Sequence, residues 1–103
     1  MIYAVQFLET AVEELAKLPQ EVQRQILKRI EGLKTVPRPA GVKQLKGPEK
    51  FLRLRAGDYR LIYLIEGKHL VVLVVKIGDR EDIYERVEVL TRRVKARRQS
   101  RSK

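Results

Sequence analysis

The chain contains no cysteine, no asparagine and a single histidine, His69. Without cysteine it can build neither a disulfide framework nor a thiolate metal site. One histidine and no cysteine do not make a typical zinc site either, and His69 sits in a hairpin turn, where surface placement is the ordinary outcome. The longest apolar stretch, LVVLVVKI at residues 70–77 with a lysine inside it, falls far short of the roughly 20 residues that cross a bilayer as a helix. The first ten residues, MIYAVQFLET, lack the basic start and long apolar run of a signal peptide. The reading is a cytoplasmic protein with no membrane partner. No glycine-rich phosphate loop and no serine nucleophile motif occurs.

What the chain does have is positive charge. Its 103 residues suit one domain, and 44% hydrophobic content supplies a core. Twenty-three Lys and Arg face 13 Asp and Glu, a formal charge of +10. Such a balance favours nucleic acid, an acidic protein or an anionic surface. Residues 91–103, TRRVKARRQSRSK, carry seven of these bases and no acid, leaving +3 on residues 1–90. The tail reads either as a solvated terminus or as a contact to RNA.

The hydrophobic pattern gives the order of elements. IYAVQF at 2–7 reads as a strand. Thr10 and Glu13 have capping-box spacing and open a short helix to Lys17 with Val12 and Leu15 on one face. Pro19 suits the first turn of a second helix, whose stripe is Val22, Ile26, Ile30 and Leu33; Arg24, Lys28 and Arg29 fall on its solvated side. Residues 36–48 hold three of the four prolines and read as a loop. Strands at 50–55 and 59–65 flank a turn at Gly57-Asp58, and a further turn leads into the 70–77 strand, which should be buried on both faces. Ile83, Val87, Leu90 and Val94 mark a helix over 82–97. Asp79 and Asp82 read as candidate helix caps rather than metal ligands. The fold class is α+β: a small antiparallel-dominated sheet in the order β-α-α-β-β-β-α, an N-terminal helical hairpin packed on one face, and a C-terminal helix.

Four arginines then stand out. Arg53, Arg55 and Arg60 lie in the hairpin and Arg80 at the end of the following strand, with Tyr59, Tyr63 and Tyr84 close in sequence. Alternation places Phe51, Arg53 and Arg55 on one sheet face, with Leu52 and Leu54 on the other. The ordinary reading is exposed charge on an uncovered sheet face, paired with Glu81 or Asp58. The sharper reading is a phosphate-binding surface, since guanidinium groups hold phosphate in a bidentate grip and tyrosine rings stack on unpaired bases.

The run Arg55-Ala56-Gly57-Asp58-Tyr59-Arg60-Leu61-Ile62-Tyr63 is similar to the R-x-G-D-Y-R-[VIL]-[IV]-Y core of the RelE/ParE toxin superfamily. Gly78-Asp79-Arg80 through Tyr84 resembles its G-x-R-x-x-x-Y ending, and Lys17-Leu18-Pro19 and Lys43-Gln44-Leu45-Lys46-Gly47 also match. The likeness covers about residues 2–90. Residues 1–90 are therefore expected to form a RelE-like toxin domain, with residues 82–103 its terminal helix and basic tail.

The resemblance implies the toxin of a type II toxin–antitoxin pair, and in the RelE branch a ribosome-dependent endoribonuclease. Such a toxin cuts mRNA in the A site by attack of the ribose 2′-hydroxyl on its own phosphate, with no metal and no cofactor. Carried over by position, Arg60 binds the phosphate at the cut, and Arg80 stabilises the phosphorane or assists the leaving oxygen. Tyr84 orients the base and Arg53 holds a backbone or 2′-oxygen charge. Lys46, Lys50, Arg55, Arg92 and Arg93 are RNA-binding candidates. The implied partners are a cognate antitoxin, ribosomal RNA and mRNA. Phe51 and Arg53 stand where the RelE pattern has two lysines, and arginine does not release its proton, so a base would come from Lys50 or Tyr84. Two alternatives remain: a ParE-type inhibitor of gyrase without hydrolytic activity, and an RNA-binding domain that does not cut.

Overall fold

The computed structural model describes residues 2–47, 49–79 and 87–101. Strand β1 spans Ala4–Phe7, helix α1 Glu9–Ala16 and helix α2 Gln20–Gly32. They are followed by β2 at Lys43–Gln44, β3 at Leu52–Ala56, β4 at Tyr59–Glu66, β5 at Val71–Asp79 and α3 at Val87–Arg101. The five strands form one sheet in the order β1-β5-β4-β3-β2. Only the β1–β5 pairing is parallel.

The α+β class and order are those expected, with one addition. β2 lies inside the segment read as a loop, pairing Lys43 with Arg53 and Gln44 with Leu52. Two residues are too few to show an alternation, and the surrounding prolines and glycines masked them. The Gly57-Asp58 turn joins β3 to β4, with Gly57 at φ +64°. A side chain is disfavoured in that left-handed conformation.

Burial, rather than side-chain capping, sets the start of α1. Leu8 is its N-cap and makes no side-chain cap bond; its carbonyl receives the Ala11 and Val12 amides. Thr10 is therefore inside the helix, not its cap. The inward stripe is Leu8, Ala11 and Leu15, whereas Val12 is 49% exposed. Pro19 caps α2 through its carbonyl, which accepts the Gln23 amide, and Ile26, Ile30 and Leu33 are buried as the stripe required.

Register divides the sheet into two faces. Leu52 pairs with Tyr63 and Leu54 with Leu61; Tyr63 then pairs with Val74, which is beside Phe7. This face is covered by α2, whose Leu27 and Ile30 line a groove with Val5 and Phe7. The other face holds Arg53, Ile62, Leu64, Leu73 and Gln6. The expectation of an uncovered second face is corrected here. Arg97 of α3 donates to Gln6 Oε1, and Leu90 and Val94 are fully buried, so α3 closes the β1 end of that face.

Beyond Val74, β5 has no β1 residue beside it. Side chains complete the edge instead. The Ile77 amide donates to Glu14 Oε1 at 3.1 Å. Arg93 Nη1 donates to the Val75 carbonyl at 3.3 Å. Glu14 also pairs with Lys76 at 3.1 Å and Arg93 at 3.3 Å. One carboxylate thus ties α1, β5 and α3 together, and gives the buried Lys76 its counter-charge.

Tyr63 is fully buried and its hydroxyl donates to the Pro37 carbonyl at 2.8 Å. Desolvation pushes its phenol from 10.0 up to about 12, against the opposing fields of Arg38 and Arg29. A folded-state value above the unfolded one favours the fold below pH 10 and loses that contribution as pH rises to about 12. Denaturant melts taken stepwise over this window are expected to show falling stability. Tyr63→Phe should flatten that fall, at a loss of about 1 kcal/mol near neutral pH. An unchanged alkaline slope in the variant would contradict the assignment.

Candidate nucleic-acid interface

The second sheet face is apolar at one end and cationic at the other. Phe51, which precedes β3, is fully buried and belongs to the hydrophobic core, as do Ile62 and Leu64 of this face. Toward the β3–β4 turn the same face carries two registered like-charge pairs, Lys43 opposite Arg53 and Arg55 opposite Arg60. Directly opposed like charges destabilise a strand pair, so the sheet itself gains nothing from this arrangement.

Backbone carbonyls hold the second pair. Arg55 Nε donates to the Gly57 carbonyl at 3.1 Å and Arg60 Nη1 to the Tyr59 carbonyl at 3.3 Å. Among the described residues neither guanidinium meets a carboxylate, and Asp58, a partner in the ordinary reading, is exposed without bridging to them. On its other side Arg60 is opposite Gly78 of β5, so no side chain flanks it there. From the helical side, Arg29 Nε donates to the Arg55 carbonyl at 3.3 Å. The result is a set of fixed cations with donors left over for an anion.

The tyrosines do not join them. Tyr63 is core, and Tyr59 lies on the side of Leu61 and Tyr63, lining a groove with Lys17 and Leu18. Neither offers its ring to a base on the arginine face. Arg80 and Tyr84 lie outside the described residues, as do Glu81 and Asp82. Asp79 is the last residue of β5, opposite Tyr59, and the segment it would cap lies outside the described residues. His69 is exposed in its turn.

The remaining RNA candidates separate. Lys46 and Lys50 are exposed in the β2–β3 connection, whose base is closed by the Leu45 amide on the Phe51 carbonyl at 2.9 Å. Arg92 is exposed on α3. The Arg93 guanidinium is engaged with Glu14 and the Val75 carbonyl, and it locks α3 to the sheet. Sequence reasoning missed Lys43, because only the β2 register brings it beside Arg53. Among the described residues no cluster of three His, Cys, Asp or Glu side chains forms, and no helix is long and apolar enough to cross a membrane.

The chain is also similar to known proteins. The family described as the ParE toxin of the type II toxin–antitoxin system parDE matches residues 5–84. The mRNA interferase toxin RelE of Escherichia coli K12 is 33% identical over 96 residues, spanning 92% of this chain and 97% of that protein. A double arginine-to-alanine mutant of the E. coli RelE toxin in the free state superposes with a TM-score of 0.67 at 32% identity, covering 93% of this chain and 98% of its own. RelE from the RelE–RelB complex of Pyrococcus horikoshii gives 0.69 at 32% identity, covering 78% and 97%. The arginine-bearing hairpin, the sheet order and these likenesses converge: the chain belongs to the RelE/ParE superfamily, in its RelE-like branch, and is a toxin of the type II toxin–antitoxin kind.

Proposed function

We propose that this toxin is a ribosome-dependent endoribonuclease that cuts mRNA in the A site and is restrained by a cognate antitoxin. The observation that carries the proposal is the Arg55–Arg60 pair, held by backbone carbonyls and opposed across the strands with no carboxylate between them among the described residues. A protein tolerates such repulsion on a sheet face where an anion is to be bound. A relative at 33% identity is named an mRNA interferase, and solved neighbours are RelE–RelB complexes. Both support the reading.

In this mechanism the ribose 2′-oxygen attacks its own phosphorus in line and the bond to the 5′-oxygen breaks. The products are a 2′,3′-cyclic phosphate and a 5′-hydroxyl. Arg60 and Arg53 hold the phosphate oxygens as charge builds on them, and Arg55 adds to the same field. Arg80 stabilises the phosphorane and Tyr84 orients the base. Lys46, Lys50, Arg92 and the basic tail contact ribosomal RNA nonspecifically. The protein acts in the cytoplasm, where translating ribosomes are.

Primer extension on messages from cells producing the toxin alone is expected to show breaks inside codons. Those breaks should be absent when the neighbouring antitoxin is produced with it. The ParE description of the matching family makes gyrase inhibition the competing reading. Intact messages with trapped gyrase–DNA complexes would establish that reading instead.

A further inference from the structure

The β1 side of β5 runs out of strand before β5 reaches Arg60. β1 ends with Phe7 beside Val74, and the Leu8 amide adds one last backbone bond to the Val74 carbonyl at 2.9 Å. The register with β4 then slips, from Tyr63 opposite Val74 to Ile62 opposite Lys76, with Val75 as the extra residue of a bulge. A bulge bends and twists the strand that carries it. Gly78, just beyond, gives the backbone further freedom. Residues 75–78 are nevertheless buried, and Gly78 is the register partner of Arg60.

Position 77 is where this half of the strand is held. The Ile77 amide donates to Glu14 Oε1 at 3.1 Å, so it points away from β4. Hydrogen-bonding direction alternates along an antiparallel strand, so Gly78 turns its own amide and carbonyl toward β4 and Arg60. Glu14 is itself anchored. Arg93 grips both carboxylate oxygens, at 3.4 and 3.3 Å, and Lys76 donates to Oε2 at 3.1 Å. A carboxylate gripped by two cations in this way has a fixed direction as well as a fixed place.

We propose that Glu14 is a positioning residue for the phosphate site. It stands in for the missing strand at Ile77 and, through Gly78, fixes the backbone from which Arg60 projects. The proposal rests on the endoribonuclease reading above. Glu14 touches no substrate; it sets where the Arg60 guanidinium stands when the phosphate arrives. A misplacement of about 1 Å at such a group costs about a hundredfold in rate.

The test is a double-mutant cycle on ribosomes carrying a defined message. Glu14→Ala is expected to lower kcat by about tenfold to a hundredfold, with the half-saturating ribosome concentration unchanged. In an Arg60→Ala background it should lower the rate no further, because the residue it acts through is gone. Lys76→Met removes one ion pair but leaves the Ile77 bond, and should cut at the unsubstituted rate. The double variant Glu14→Ala with Lys76→Met, free of the stranded ammonium, should match Glu14→Ala and replaces it if that variant does not fold. Amide exchange reads the clamp without cutting: residues 77–79 should exchange faster in the Glu14 variant, and residues 71–74 should not. A Glu14 that merely stabilises the fold would give a loss that multiplies with that of Arg60→Ala. Such a multiplied loss, an unchanged kcat, unchanged exchange at residues 77–79, or a Lys76→Met defect as large as that of Glu14→Ala overturns the proposal and leaves the endoribonuclease reading in place. If the unsubstituted toxin leaves the message intact, the endoribonuclease reading falls and the positioning role falls with it.

Discussion

Replacing Arg60 by alanine is expected to slow message cleavage by about 10²–10³-fold, the usual effect of removing one fixed donor to a developing oxyanion. The melting temperature should not fall. Arg60 makes no ion pair among the described residues, and its side-chain bond goes to the Tyr59 carbonyl beside it. Its removal also relieves the like-charge opposition with Arg55. Arg60→Lys should recover only part of the rate, because a point charge does not reproduce the two-pronged grip of a guanidinium on phosphate. Single-turnover cleavage and a thermal melt on the same preparations check this. A large fall in melting temperature, or an unchanged rate, would count against a phosphate-holding role.

The second large effect concerns Phe51. Restoring lysine at this position, as in the RelE pattern, is expected to weaken the fold and not to speed cleavage. The ring is fully buried, and removing a core phenylalanine costs about 3–5 kcal/mol. An ammonium in its place adds a desolvation penalty unless it escapes to water. Domains of this size melt roughly 4–8 °C lower per kcal/mol lost, so Phe51→Lys should lower the melting temperature by at least ~12 °C. A variant as stable as the original and faster at cutting would show that position 51 faces substrate rather than core.

The strand hairpin, the α2 stripe and the buried β5 strand were legible because each has a strong local signal: a Gly-Asp turn, a 3.6-residue period, a continuous apolar run. The start of α1 was misread because the capping-box spacing of Thr10 and Glu13 is weaker than the pull of Leu8 into the core. Alternation correctly grouped Arg53 and Arg55 on one side, but it cannot say how far a helix from elsewhere in the chain covers that side. Docking of α3, through Arg93 on Glu14 and Arg97 on Gln6, depends on contacts across more than 75 positions of sequence. The same limit applies to the site. The arginines were visible as a cluster, whereas the opposition of Arg55 to Arg60 and of Lys43 to Arg53 exists only in the strand register.

The most direct measurement is the chemistry of the RNA ends. Purified toxin is incubated with a defined message, free or threaded through ribosomes with a vacant A site, and both fragments are characterised. The result expected is a cut inside the A-site codon, only with ribosomes present, leaving a 2′,3′-cyclic phosphate upstream and a 5′-hydroxyl downstream. An intact message under those conditions, with a fully folded toxin, would contradict the account.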